Sequence, residues 1–207
     1  MRVVTYLPRL KQRHVRQLDK ILDELVRGSG LTNAERDQLV ARSVIGAMNS
    51  YDRFCRYLYV SSAMGARDAS GVRVVSRADR QPSEIAAVQH AFSTLNPHIQ
   101  PAARRQEPDW KVPAQLLASL SAVNAANQAD VAAALSAQTK AIHTLPVFRN
   151  FYAHRGQDTA VRAQNQARRL AITPSHPTDI LMSTSFSVDP LVVDWIFDLQ
   201  TIVDMMA

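Results

Sequence analysis

Cysteine is almost missing from this chain: Cys55 stands alone among 207 residues. An intramolecular disulfide is therefore excluded, and a zinc site would lack its usual thiolate ligands. Glycine is scarce, with 6, and aromatic residues make up only 6%. No apolar run approaches the roughly 18 residues that a membrane-spanning helix needs. The opening MRVVTYLPRLKQRHVRQ lacks an apolar core of the length a secretory signal requires. A reducing cytoplasm is the expected location, and the sequence implies neither a metal nor another cofactor.

What is present points to helices. Alanine is abundant, and it is the strongest helix former. Hydrophobic residues at 46% and charged residues at 20% give an ordinary globular composition. The length suits a single domain, residues 1–207, with an irregular region at 65–112. Net charge is +6 and the pI is near 9.9. Arginine greatly outnumbers lysine, and guanidinium forks match phosphate geometry, which favours an anionic partner. A high-GC genome enriches the same two residues, arginine and alanine, so composition alone also accounts for the charge.

Apolar spacing predicts a first helix over about 8–27, ended by GSG at 28–30. Thr32 and Glu35 stand at capping-box spacing at the head of a long helix running to about Met64. Residues 65–112 read mainly as loop, with a short extended piece at 72–75, a helix over 83–94 and the basic, Pro-punctuated NPHIQPAARRQEPDWKVP. Two helices are expected from Pro113 onward, breaking near 124–128, with the second kinked or restarted by Pro146. Asp158 is the expected N-cap of the helix after Gly156, residues 173–187 read as loop, and Asp189 with Pro190 opens the last helix. Cys55, Trp110 and Trp195 read as packing residues. His14, His90, His98 and His176 show no metal-ligand spacing and read as surface or loop residues.

The densest stretch is FRNFYAHRG, residues 148–156. On a helical wheel with Arg149 at the origin, Ala153 falls near 40°, Asn150 near 100° and His154 near 140°. Phe151, Phe148 and Tyr152 fall on the other side, at about 200° to 300°. The large apolar groups are expected to bury, leaving Arg149, Asn150 and His154 on the opposite face. Arg155 would point to the apolar side, so the helix is expected to end there with Gly156 as its left-handed cap. His143 shares the stripe of Asn150 and His154 only if the helix runs straight through Pro146.

This cluster permits a narrow chemistry. His154 is an acid or base near neutral pH. Arg149 is a permanent cation suited to a phosphate or its transition state. Asn150 hydrogen-bonds and orients. The stretch holds no nucleophilic Ser or Cys, no carboxylate pair and no Gly-rich phosphate loop. RNA carries its own nucleophile, the ribose 2′-OH, so a His and an Arg suffice for transesterification without a metal. Geometry alone also admits a plain polar helix face with an incidental His.

Arg149-Asn150-x-x-x-His154 in its aromatic setting resembles the signature of the HEPN superfamily. In that family an Arg, usually followed by a polar residue, precedes a His by four to six intervening positions; here the interval is four. The resemblance implies an all-α, HEPN-like helical bundle with a long antiparallel helix pair, short helices and an irregular basic insertion. It implies a metal-independent endoribonuclease whose two motifs face each other across a homodimer. Arg149 would bind the scissile phosphate, His154 would transfer protons and Asn150 would position His154 or the substrate. A 2′,3′-cyclic phosphate and a 5′-OH would result. The setting implied is a bacterial toxin or antiviral defence effector, with an antitoxin or regulatory protein as a further partner. Some family toxins carry a Tyr two residues after the His, where a partner enzyme modifies them; Arg155-Gly156 occupies that region here.

Arg155, Arg162, Arg168 and Arg169 are the expected RNA-backbone contacts. The alternative for the last three is a solvated helix face. RLKQRHVR at 9–16 is a second basic cluster, read mainly as solvated surface. The rival function is a non-catalytic helical module that binds nucleic acid or a partner protein.

Overall fold

Thr32 and Glu35 cap one another as their spacing predicts. The Thr32 amide donates to Glu35 Oε2 at 2.9 Å, and the Glu35 amide donates to Thr32 Oγ1 at 3.4 Å. The computed structural model describes residues 3–28, 30–99, 106–137, 139–173, 175–185 and 187–207. Part of the basic stretch, residues 100–105, and Ser29 of GSG lie outside the described residues.

The fold is all-α. Nine helices occur among the described residues: α1 (Leu7–Arg27), α2 (Asn33–Ala63), α3 (Glu84–Leu95), α4 (Pro113–Ala122), α5 (Gln128–Ala137), α6 (Thr139–His154), α7 (Gln157–Arg169), α8 (Pro177–Leu181) and α9 (Leu191–Met206). Among the described residues no helix is long and apolar enough to cross a membrane. The expected extended piece at 72–75 reduces to one isolated bridge, Arg73 with Arg67, and Arg67 makes a second with Tyr6.

The chain divides into two compact units: Met1–Val15, Tyr51–Ala137 and Ile202–Ala207 form the first, and Arg16–Ser50 and Gln138–Thr201 the second. Helices α1, α2 and α9 give residues to both.

In the first unit, the C-terminal half of α2 supplies the core with Tyr51, Phe54, Cys55, Leu58 and Tyr59, each at most 1% exposed. Tyr59 stacks on Trp110 with ring centroids 5.2 Å apart and donates its hydroxyl to the Ala87 carbonyl on α3. Arg56 bridges Glu84 at 2.8 Å and Glu107 at 2.6 Å, and Trp110 Nε1 also donates to Glu107. Burial pushes the Cys55 thiol above its ordinary value. His14, expected at the surface, is fully buried 5.1 Å from the Phe54 ring. The reason is periodicity: Leu7, Leu10, His14 and Leu18 form one helical stripe, and the other three are apolar and buried.

In the second unit, Val40, Val44 and Met48 of α2 are buried, as are Leu145 and Phe148 of α6 and Val192, Trp195 and Leu199 of α9. The Phe148 and Trp195 rings meet at 5.8 Å. Helix α7 packs against α6 and α8.

Several expected boundaries move. Pro146 does not restart a helix: it lies inside α6, which begins at Thr139. Proline has no amide to donate to the Ile142 carbonyl, a local cost that the buried Leu145 and Phe148 on either side help offset. Residues 177–181, read as loop, form the short α8, with Pro177 at its first position and His176 as N-cap. Asp158 is not a cap but lies in the first turn of α7, whose N-cap is Gly156. The last helix opens one residue later than expected, with the Pro190 carbonyl accepting the Asp194 amide.

Candidate functional site

Helix α6 carries two faces, as its sequence predicts. Phe148, Phe151 and Tyr152 are buried at 0%, 6% and 5% exposure. Asn150, Ala153 and His154 are exposed, and Arg149 is half-buried. The aromatic side fixes the helix, and the opposite side presents polar groups to solvent. Arg149 turns toward its neighbour, with Nη1 3.4 Å from Asn150 Oδ1. Among the described residues, no hydrogen bond or ion pair engages the His154 side chain. His143 is exposed on the same continuous helix, two and three turns before Asn150 and His154.

The end of α6 departs from expectation. The left-handed residue is Arg155, with φ of 45°, and Gly156 is extended with φ of −88°. Arg155 therefore does not turn into the apolar side. Its Nη1 donates to Asp37 Oδ2 at 2.7 Å, and its guanidinium carbon lies 5.6 Å from the centre of the Tyr152 ring. The guanidinium expected to contact RNA thus already holds a carboxylate.

Asp37 anchors a wider network. Its other oxygen accepts the Thr178 hydroxyl, and Thr178 Oγ1 also meets the Tyr152 hydroxyl at 3.0 Å. Partial burial pushes the Asp37 carboxyl up. The Thr178 hydroxyl, the Arg155 guanidinium and the nearby His176 outweigh that and hold it below its ordinary value. His176 accepts the Thr178 amide on Nδ1 at 3.3 Å and packs edge-on to Phe151 at 5.7 Å. The start of α2, the end of α6 and the start of α8 are tied together by these contacts.

Arg162, Arg168 and Arg169 are all exposed on α7. Arg168 donates to Asn165 one turn away at 2.6 Å. Thus α6 and α7, which pack together, carry the candidate triad and the arginine row in one unit. Trp110 and Trp195 are core residues, and so is Cys55. Among the described residues, no group of three or more His, Cys, Asp or Glu is placed to hold a metal.

Asp37 and Thr178 belong to the neighbourhood of the motif but carry no sequence signal of their own. Their partners lie 118 and 141 residues away. His176 had a faint one, since it precedes a proline and a short apolar turn. Compared with family models, curated proteins and solved structures, the chain matches none.

Proposed function

We propose that this chain is an endoribonuclease that cleaves RNA by 2′-OH transesterification without a metal, using Arg149, Asn150 and His154. The observation that carries the reading is the state of α6. Its aromatic side is locked in the core, while His154 and Asn150 stand exposed on the other side with His154 unengaged. A helix anchored by its aromatic side and bearing an unengaged imidazole suits proton transfer at a phosphodiester.

The step balances without a cofactor. His154 takes the 2′-OH proton as the 2′-oxygen attacks phosphorus. The P–O5′ bond breaks, and the leaving oxygen takes a proton to become a 5′-OH. Arg149 neutralises the charge that grows on the phosphate oxygens. One histidine serves one proton transfer at a time, and Arg149 and His154 diverge around the helix. A second copy of the chain, its α6 opposed to the first, would supply the other half. The HEPN resemblance favours the same arrangement, and with it a toxin or defence role restrained by an antitoxin or regulatory protein.

The test is direct. Purified protein is incubated with labelled RNA in EDTA, and products are examined for cyclic phosphate ends. Intact RNA, with and without a cognate trigger, together with His154→Ala behaving as wild type in cells, would sink the reading. The exposed row Arg162, Arg168 and Arg169 favours a second reading, a non-catalytic nucleic-acid-binding module. That reading requires His154→Ala to keep function and charge reversal of the row to abolish it.

A further inference from the structure

Resting on the ribonuclease reading, we propose that the cleft at the C-terminal end of α6 is a nucleobase subsite, seating a base of the RNA strand beside the bond that His154 cleaves. The cleft measures about 370 Å³ and is lined by Phe151, Arg155, Gln157, Gln164, His176 and Pro177, among others. That size lies in the range of small-ligand sites. Arg155, the residue after His154, forms part of its wall.

The lining has the chemistry of base recognition: a planar ring, an arginine plane and two amides. The His176 ring is exposed, yet it is not loose. Its Nδ1 is held by the Thr178 amide, and its position is fixed by the edge contact with Phe151. Nδ1 is taken by the Thr178 amide, so Nε2 is the ring nitrogen left to meet a base. Arg155 is likewise preset, because Asp37 and the Tyr152 ring fix one edge and one face of the guanidinium. Gln157 is exposed, and Gln164 is half-buried with only a long contact, 3.5 Å, to the Ser175 carbonyl. Their amides are available to donate to and accept from a base edge. Groups held in place before binding lose little freedom when a ligand arrives.

Wild-type protein is titrated with each of the four nucleoside 5′-monophosphates and, separately, with inorganic phosphate, followed by NMR. None of these carries a phosphodiester to cleave. At least one nucleotide is expected to bind about tenfold more tightly than phosphate, as stacking one base on one ring allows. His176→Phe keeps the ring and should keep that margin. His176→Asn keeps a capping acceptor but removes the ring, and should lose it. Gln164→Ala should change the ranking among the four bases. Equal affinity for phosphate and every nucleotide overturns the proposal, and so does His176→Asn binding like wild type. Nucleotide binding in a protein that never cuts RNA would remove the ribonuclease reading and leave the subsite. RNA cleavage without nucleotide binding would remove the subsite alone.

Discussion

Arg155 and Asp37 are 118 residues apart in sequence and 2.7 Å apart in the fold. The pair sits at a left-handed position of the backbone, where Arg155 has φ of 45°. A side chain in the left-handed region costs about 1–2 kcal/mol. The ion pair and the Tyr152 ring hold Arg155 there, and the residue before it is His154. The carboxylate of α2 is thus paired with the residue that ends α6.

Replacing Arg155 separates the strain from the ion pair. Arg155→Ala loses the pair and keeps the strained backbone, whereas Arg155→Gly loses the pair and removes the strain. Urea denaturation should find the glycine variant more stable by about 1 kcal/mol. A glycine variant equal to or weaker than the alanine one would show that the strain contributes nothing.

The Asp37 carboxyl titrates below its ordinary value in the folded chain. Its stabilisation is fully present above the ordinary carboxylate range and disappears as pH falls through the folded value. Asp37→Asn should cost about 1–2 kcal/mol near neutrality, the size of a partly exposed charged hydrogen bond. The gap between variant and wild type should close in acid. A gap of constant width from pH 7 to pH 3 would contradict the role given to the charge.

His14 behaves oppositely in protonation but alike in outcome. Burial lowers its folded value to about 3 from the ordinary 6.5. Above pH 6.5 both states are neutral and nothing is lost. Below it the unfolded chain takes a proton that the folded chain refuses, so stability falls by up to about 1.4 kcal/mol per pH unit until the folded value is reached. His14→Leu should flatten the slope between pH 6 and pH 4 in a denaturation series. An unchanged slope would mean that His14 takes up its proton in the folded state.

Pro146 lies inside α6, where the Ile142 carbonyl lacks its helical donor. Pro146→Ala restores that donor and should raise stability by about 1–3 kcal/mol. A fall in the melting temperature would mean that the ring packs too well to lose.

His154 is exposed and unengaged, so its removal should not disturb the fold. His154→Ala should lower RNA cleavage by about 10²- to 10⁴-fold while stability stays within about 0.5 kcal/mol. Arg149→Lys tests the fork against the charge, and should cut less than wild type. Loss of activity accompanied by unfolding would assign His154 a structural part instead.

The two faces of α6 were legible because periodicity is local: Phe148, Phe151 and Tyr152 recur at helical spacing, and burial follows. The Thr32–Glu35 cap was legible for the same reason. The end of α6 was not. Glycine at 156 is the ordinary left-handed residue, but Arg155 takes the position instead, and its carboxylate partner lies far away in the sequence. His14 shows the complementary failure, since residue type argued for the surface while the stripe of Leu10 and Leu18 argued for the core. In α8, five residues carry too short a pattern to register, and its cap is an uncommon one.

Cys55 has a use that its inertness creates. It is fully buried and burial disfavours its thiolate, so alkylating reagents have almost nothing to attack in the native chain. An Ala153→Cys substitution, on the exposed stripe between Asn150 and His154, would then offer one reactive handle per molecule. A dye or spin label would go to that place alone. Oxidation would link two chains only where one α6 meets its copy, so a single gel would report the encounter.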